Sequence, residues 1–209
     1  MKLTIETHPW EYFPKNSKIE KLIIGSFPPN KMVFEYGKEV VYQNKIKSFI
    51  TKETKRYDFF YGSSQNQFWN LFFNSLNQTN LCDNTKELKD WLIKNNWGVT
   101  DLIYKTTRKK DSPNDSDLVP IEWNVFNIKS ILNSNKINSI FFTSKWVQKH
   151  FERLFKDEDY KFIKKFILIS PSPSGLRVFP NEVLKELPKN KNESNSEYRL
   201  RYYNYVLNT

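Results

Sequence analysis

The chain holds a single cysteine, Cys82, and two histidines, His8 and His150. One thiol excludes an internal disulfide, a Cys-ligated iron–sulfur cluster and a Cys-rich zinc site. Two imidazoles are too few for a usual zinc centre, so no metal and no cofactor is expected. Long apolar runs are also missing. LIIG, SIFFT and KFILIS are the longest, and none can span a bilayer. The first ten residues, MKLTIETHPW, lack the apolar stretch of a secretory signal. An intracellular, cytoplasmic protein away from the membrane is expected. No repeat and no long Gly/Ser/Pro linker divides the 209 residues, a length that suits one α/β domain and one sizeable core. A single domain over residues 1–209 is expected, and a monomer.

What the chain has in quantity is aromatic residues and positive charge. Phe, Tyr and Trp make up 16% of it, so the core should be built largely from rings. Lys and Arg number 33 against 23 Asp and Glu, a net charge of +10. Such an excess suits a polyanionic partner through phosphate contacts and counterion release. An AT-rich genome, which favours Lys and Asn throughout, gives the same composition.

Short apolar runs alternate with amphipathic ones. IEKLIIGSF (19–27) reads as a buried strand emptying into a loop at Pro28-Pro29. Residues 30–57 have no clean period and are expected to elaborate the exit of that strand. NQFWNLFFNSLN (66–77) carries Phe68, Leu71, Phe72 and Leu76 on a helical stripe. NTKELKDWLIKNN (84–96) is a second helix, with Asn84 or Thr85 as N-cap and Glu87 close behind. WGVTDLIYK (97–105) reads as one strand, and EWNVFNIKSILNSN (122–135) as a helix. INSIFFTS (137–144) is a strand, KWVQKHFERLF (145–155) its helix, and KFIKKFILIS (161–170) a last strand. A loop, PSPSGLRVFP (171–180), and a closing helix in NSEYRLRYYNYVLN complete the chain. This order predicts a mostly parallel, doubly wound sheet. Ligands bind such sheets outside the carboxyl ends of the strands. That places Gly25–Pro29, the stretch after Tyr104, Thr143–Lys145 and Ser170–Phe179 on one rim.

IIGSFPP, FFYGSSQNQFW, GVTDLIYKTTRKKDSPNDSDL, INSIFFTSKWVQKHF and LISPSPSGLR resemble, in order, the motifs of the uracil-DNA glycosylase superfamily. The likeness is nearest to the deoxyinosine (hypoxanthine) DNA glycosylase branch, with echoes of the mismatch-specific uracil glycosylases. It covers roughly residues 20–180. It implies a three-layer α/β/α fold around a central, mostly parallel four-stranded sheet. It also implies a monofunctional enzyme that flips a nucleotide out of double-stranded DNA and hydrolyses its N-glycosidic bond. The default substrate is a deaminated base, hypoxanthine or uracil. A hypermodified phage base such as glucosylated hydroxymethylcytosine, and an inactive nucleic-acid-binding module, are the alternatives.

The resemblance assigns roles residue by residue. The strand-1 loop is Gly25-Ser26-Phe27-Pro28, and Phe27 stands where the superfamily has an acidic or amide residue that orients water. The deoxyinosine branch uses instead an Asn in Asn-x-Phe-Trp, which is Asn66 here. Catalytic candidates are Asn66, Ser26 and Asp58; Asp58 and Asp101 are the carboxylates nearest the motifs, and either could be a second water-orienting group. Gly25, Phe27, Tyr61 and Ser172 are candidates to bind the base, Tyr61 by stacking. In the last motif Ser170 takes the place of a usual His in one register. In the other, Ser172 replaces an Asn and Leu176 is the wedge that fills the emptied stack. Ser170, Ser174, Gly175, Leu176 and Arg177, with Arg108, Lys109 and Lys145, are expected to hold DNA.

Each residue also has a plainer role. Asn66 caps the helix that follows it, Tyr61 fills core, 171–180 is a Pro-rich turn, and KTTRKK is a solvated basic loop. Thr143 or Ser144 caps its helix, and Asp101 pairs with a lysine.

Overall fold

A computed structural model of the chain describes residues 5–29, 57–63, 66–78, 82, 84–110, 115–156, 160–171 and 179–209. Its centre is β3 (Lys21–Gly25). Leu22, Ile23 and Ile24 are wholly buried, so both faces of this strand need cover. β4 (Trp97–Asp101) runs parallel on one side of it, and β7 (Ser139–Phe142) runs parallel on the other. β8 (Lys164–Ile167) continues the parallel array beyond β7. These are the four strands the sequence predicts, in the order β4-β3-β7-β8. A fifth, short strand, β2 (Tyr12–Phe13), pairs antiparallel on the outer edge of β4.

The two faces sort by residue parity, as a pleat requires. Ile23, Val99 and Phe141 face α1 (Phe68–Ser75), α2 (Thr85–Lys94) and α6 (Asn195–Leu207). Leu22, Ile24, Ile140 and Phe142 face α3 (Val125–Ser134) and α4 (Lys145–Leu154). The result is the expected α/β/α layering. The first face is ring-rich, with Phe68, Trp69, Phe72 and Phe73 of α1 meeting Tyr198, Tyr202 and Tyr203 of α6. Trp97 and Trp91 stand edge-on to Phe72 at 4.9 and 5.7 Å. Caps fix the helix starts. Asn84 accepts the Glu87 N–H at 3.0 Å, and Ser144 accepts that of Val147 at 3.3 Å. Ser194 and Glu197 form a reciprocal capping box at the start of α6.

Residues 97–105 are not one strand. The chain leaves the main sheet after Asp101, where the Leu102 N–H donates to the Gly25 carbonyl at 2.8 Å. It then continues as β5 (Ile103–Arg108) in a second, antiparallel sheet between β1 (Glu6–Thr7) and β6 (Leu118–Trp123). Leu102 is buried in the α3/α4 core, which anchors this change of direction. The helix expected from 122 begins at Val125, because Glu122 and Trp123 pair with β5. A short helix, α5 (Asn181–Glu186), precedes α6. The elaboration expected over 30–57 lies outside the described residues except for Tyr57.

Candidate functional site

Parallel register sets Gly25 at the end of β3 directly beside Asp101 at the end of β4. This is the carboxyl rim of the main sheet, where open α/β sheets bind ligands. The neighbourhood has no room for a side chain at position 25. A Cβ there would lie 2.0 Å from the Tyr61 hydroxyl and 2.3 Å from Asp101 Oδ1. The glycine thus admits Tyr61 to the rim, and the Tyr61 hydroxyl donates to Asp101 Oδ1 at 3.0 Å.

Tyr61 sits in a tight turn closed by hydrogen bonds from Tyr57 N–H to the Gly62 carbonyl and from Gly62 N–H to the Phe59 carbonyl. Its φ of 56° is in the left-handed region, which costs a bulky residue energy and is typical of functional sites. Its ring rests on Phe68 at 4.6 Å between centroids. Burial pushes the phenol pKa well above its ordinary value, and the Asp101 charge and hydrogen bond add to the shift, while a bond to Thr143 works the other way. Tyr61 is therefore a neutral donor around pH 7.

Asp101 has a second donor that sequence motifs do not reveal. His8 Nε2 lies 2.9 Å from Asp101 Oδ2, with side chains only 1% and 3% exposed. The backbone N–H of Trp10 donates to His8 Nδ1 at 3.0 Å. Nδ1 is therefore the acceptor, and the proton is on Nε2, pointing at the carboxylate. Phe27 stands edge-on to the imidazole at 5.4 Å, and Phe60 covers it at 5.3 Å.

A second carboxylate stands beside this cluster. The short helical turn Asp115–Asp117 presents Asp115, whose Oδ1 accepts the Ser26 hydroxyl proton at 2.6 Å. Asp115 is half-buried. Burial raises its pKa above the ordinary carboxylate range, and the Asp101 charge pushes the same way. The Ser26 hydrogen bond, second in size only to burial, and the smaller Arg108 charge oppose the rise without cancelling it. Two carboxylates thus occupy one rim in different settings. Asp101 is buried and held by two donors, and Asp115 is more accessible and more basic than a free aspartate.

The residues singled out from sequence divide on this geometry. Gly25, Ser26 and Tyr61 converge with Asp101. Phe27 is buried and packs with Ile103 and Leu118, as core beneath the rim, where a base has no access to it. Asn66 lies just before α1, one residue ahead of the N-cap Gln67, and its amide oxygen accepts the Phe68 N–H at 2.9 Å, so it closes an Asx turn into the helix and does not cap it. The exposed Asp58 sits by the start of α2, its N–H donating to Thr85 Oγ1 at 2.8 Å.

Arg108 does not face a phosphate. It is buried, paired with Glu6 at 2.9 Å, and donates to the Pro28 carbonyl at 2.8 Å. It ties the second sheet to the strand-1 loop, because a cation on an inward-facing strand position needs a buried counter-charge. Lys109 is exposed at the end of β5. Lys145 is exposed at the start of α4 and pairs with Glu182. The Ser170 carbonyl accepts from Arg199 of α6 at 3.1 Å. Ser172, Ser174, Gly175, Leu176 and Arg177 lie outside the described residues.

His8 and Asp115 are the residues that motif reading misses. A cavity of about 1000 Å³ opens at the opposite, amino end of the sheet beside Lys21, Ser139 and Lys164. The paired titratable groups converge instead at the carboxyl rim, which makes it the candidate site. Among the described residues, no cluster of three His, Cys, Asp or Glu side chains is placed to hold a metal ion. No helix among them is long and apolar enough to cross a membrane.

No protein-family model matches the chain, and no curated protein does. Among solved structures, the chain is similar to a provisionally assigned uracil DNA glycosylase from Methanosarcina acetivorans, determined by NMR in solution. The two share 19% of their residues over 95% of this chain and 97% of that one, with a TM-score of 0.54. At that identity the likeness establishes a common fold: this chain has a uracil-DNA glycosylase-like α/β architecture.

Proposed function

We propose that this protein is a monofunctional DNA glycosylase that hydrolyses the bond between a flipped-out base and its deoxyribose, leaving an abasic site. The observation that carries the proposal is the rim pair: Asp115, basic and half-buried, backed by Asp101 in the grip of His8 and Tyr61. The glycosylase fold, the ordered motifs and the net charge of +10 support it. Loss of a base proceeds through an oxocarbenium-like sugar, so a positioned water and a nearby negative charge are what the reaction needs. In this proposal Asp115 orients the water and takes its proton as the water oxygen bonds to C1′. The base departs with the electrons of the broken C1′–N bond. The Asp101 charge keeps Asp115 basic and favours positive charge on the sugar.

Asn66 is the competing holder of that water. The geometry favours Asp115, because the Asn66 amide oxygen is engaged by the Phe68 N–H. The family's usual His beside the leaving base has no substitute in His8, whose Nε2–H is committed to Asp101. Deaminated bases, hypoxanthine and uracil, are the proposed substrates, after the deoxyinosine branch.

The test is a panel of duplexes carrying uracil, hypoxanthine or glucosylated hydroxymethylcytosine, treated with protein and then with alkali. Breaks at hypoxanthine or uracil are the expected result. Breaks in glucosylated DNA alone would transfer the protein to defence against modified phage DNA. Tight binding with no breaks on any duplex would leave it a binding module. Asn66→Ala should keep the cleavage and lose about 0.5–1.5 kcal/mol of stability as a lost hydrogen bond at the entry to α1.

A further inference from the structure

The helix α4 has two working faces. Val147 and Phe151 point into the core, whereas Trp146, His150 and Arg153 follow one another at helical spacing on another side. There they meet Trp123 at the end of β6. The His150 ring is 3.9 Å from that of Trp146 and 5.4 Å from that of Trp123. The planes of the three rings lie within 27° of parallel. The Trp146 carbonyl accepts from His150 Nδ1 at 2.9 Å, which fixes the imidazole in the stack. Arg153 lies over the Trp123 ring at 5.4 Å.

These three rings are only partly buried, while Lys149 and Arg153 beside them are exposed. Parallel rings edged by cations match the chemistry of an unpaired nucleotide, with its flat base and its phosphate. The rings also pack against the buried residues that support the candidate site. Trp123 and Trp146 pack on the Phe27 cluster, and Phe27 in turn meets His8.

We propose that Trp123, Trp146 and His150 form a stacking ledge for an unpaired base of a DNA strand next to the rim, with Lys149 and Arg153 taking its phosphates. The choice of DNA rests on the glycosylase reading; the stacking itself does not. When a base leaves the duplex, the neighbouring nucleotides lose a stacking partner, and a ledge here would hold one of them.

The test needs no turnover. Anisotropy of the full chain with a labelled oligothymidylate is compared with that for an abasic backbone of the same length and charge. Wild type should bind the oligothymidylate about tenfold or more tightly than the abasic strand, the scale of one stacked base. Trp146→Ala and His150→Ala should erase that preference while still binding the backbone. Arg153→Glu should weaken both strands and flatten the dependence on salt. Should Trp146→Ala fail to fold, His150→Ala and Arg153→Glu, which alter less buried groups, carry the test alone. Equal affinity of the wild type for the two strands, or a preference that survives in His150→Ala, overturns the ledge. Because neither strand offers a deaminated base, this result stands apart from any failure to excise one.

Discussion

At the scale of residues, the account turns on two aspartates with different neighbours. Asp115 has a pKa raised chiefly by burial and then by the Asp101 charge. A raised carboxyl pKa stabilises the folded state below the ordinary carboxylate value, and this contribution is lost as pH rises through the raised one. Wild-type protein at neutral pH therefore carries a cost that Asp115→Asn removes. That variant should be more stable than wild type at pH 7, by thermal unfolding, with the gap closing in acid. Under the proposed reaction it should also cleave about 10²–10⁴ times more slowly and lose the acid limb of the pH–rate profile.

Asp101→Asn should behave differently. The new amide turns a donor toward His8 or Tyr61, both donors already, at a cost of about 1–3 kcal/mol. With the charge gone, the Asp115 pKa falls and the acid limb of activity moves to lower pH. An unmoved limb in Asp101→Asn would show that the two carboxylates are not coupled. Of this cluster, Gly25, Ser26 and Tyr61 are legible as candidates, because each sits where an apolar run meets a polar loop, whereas Asp101 lies inside a run that reads as one strand and stands out only as a carboxylate near the motifs. The His8–Asp101 contact spans 93 residues of sequence, a separation that no local pattern encodes. Asp115 lies in a charged loop, where a functional carboxylate resembles a solvated one.

At the scale of elements, hydrophobic pattern and capping predicted most of what formed. The four parallel strands and the helices 68–75, 85–94, 145–154 and 195–207 are where periodicity and caps place them. Phe72 shows why the pattern was readable: it is fully buried between Trp97, Trp91 and Phe73. Phe72→Ala should cost about 3–5 kcal/mol in urea unfolding. A loss below about 1 kcal/mol would mean that the ring layer repacks.

The unreadable elements have physical reasons. β1 and β2 are two residues each, too short for an alternation to show. β6 includes Pro120 and exposes Val119 and Ile121, so it lacks the signature of a half-buried strand. The break at Leu102 hides inside a continuous apolar run, because both sheets want the same residue types. Arg108 is the instructive error: KTTRKK reads as a basic loop, yet its first residues belong to β5, where Thr106, Thr107 and Arg108 are all buried. The inward arginine is neutralised by Glu6 across the sheet.

At the scale of the whole molecule, a strongly basic chain carries its candidate site at one end of a parallel sheet. The net charge of +10 should make duplex binding fall steeply with salt. A log–log slope near zero between low and physiological salt would speak against a phosphate-gripping surface. The fold likeness extends over 95% of the chain at 19% identity, so the architecture is shared while the chemistry of the rim rests on this chain's own residues. The most direct measurement is abasic-site formation on duplexes carrying hypoxanthine or uracil, by wild type and by Asp115→Asn, in parallel with duplex binding. The account predicts alkali-labile breaks at the marked base with wild type, and almost none with Asp115→Asn despite equal binding. Breaks made equally well by Asp115→Asn, or by neither protein, would contradict it.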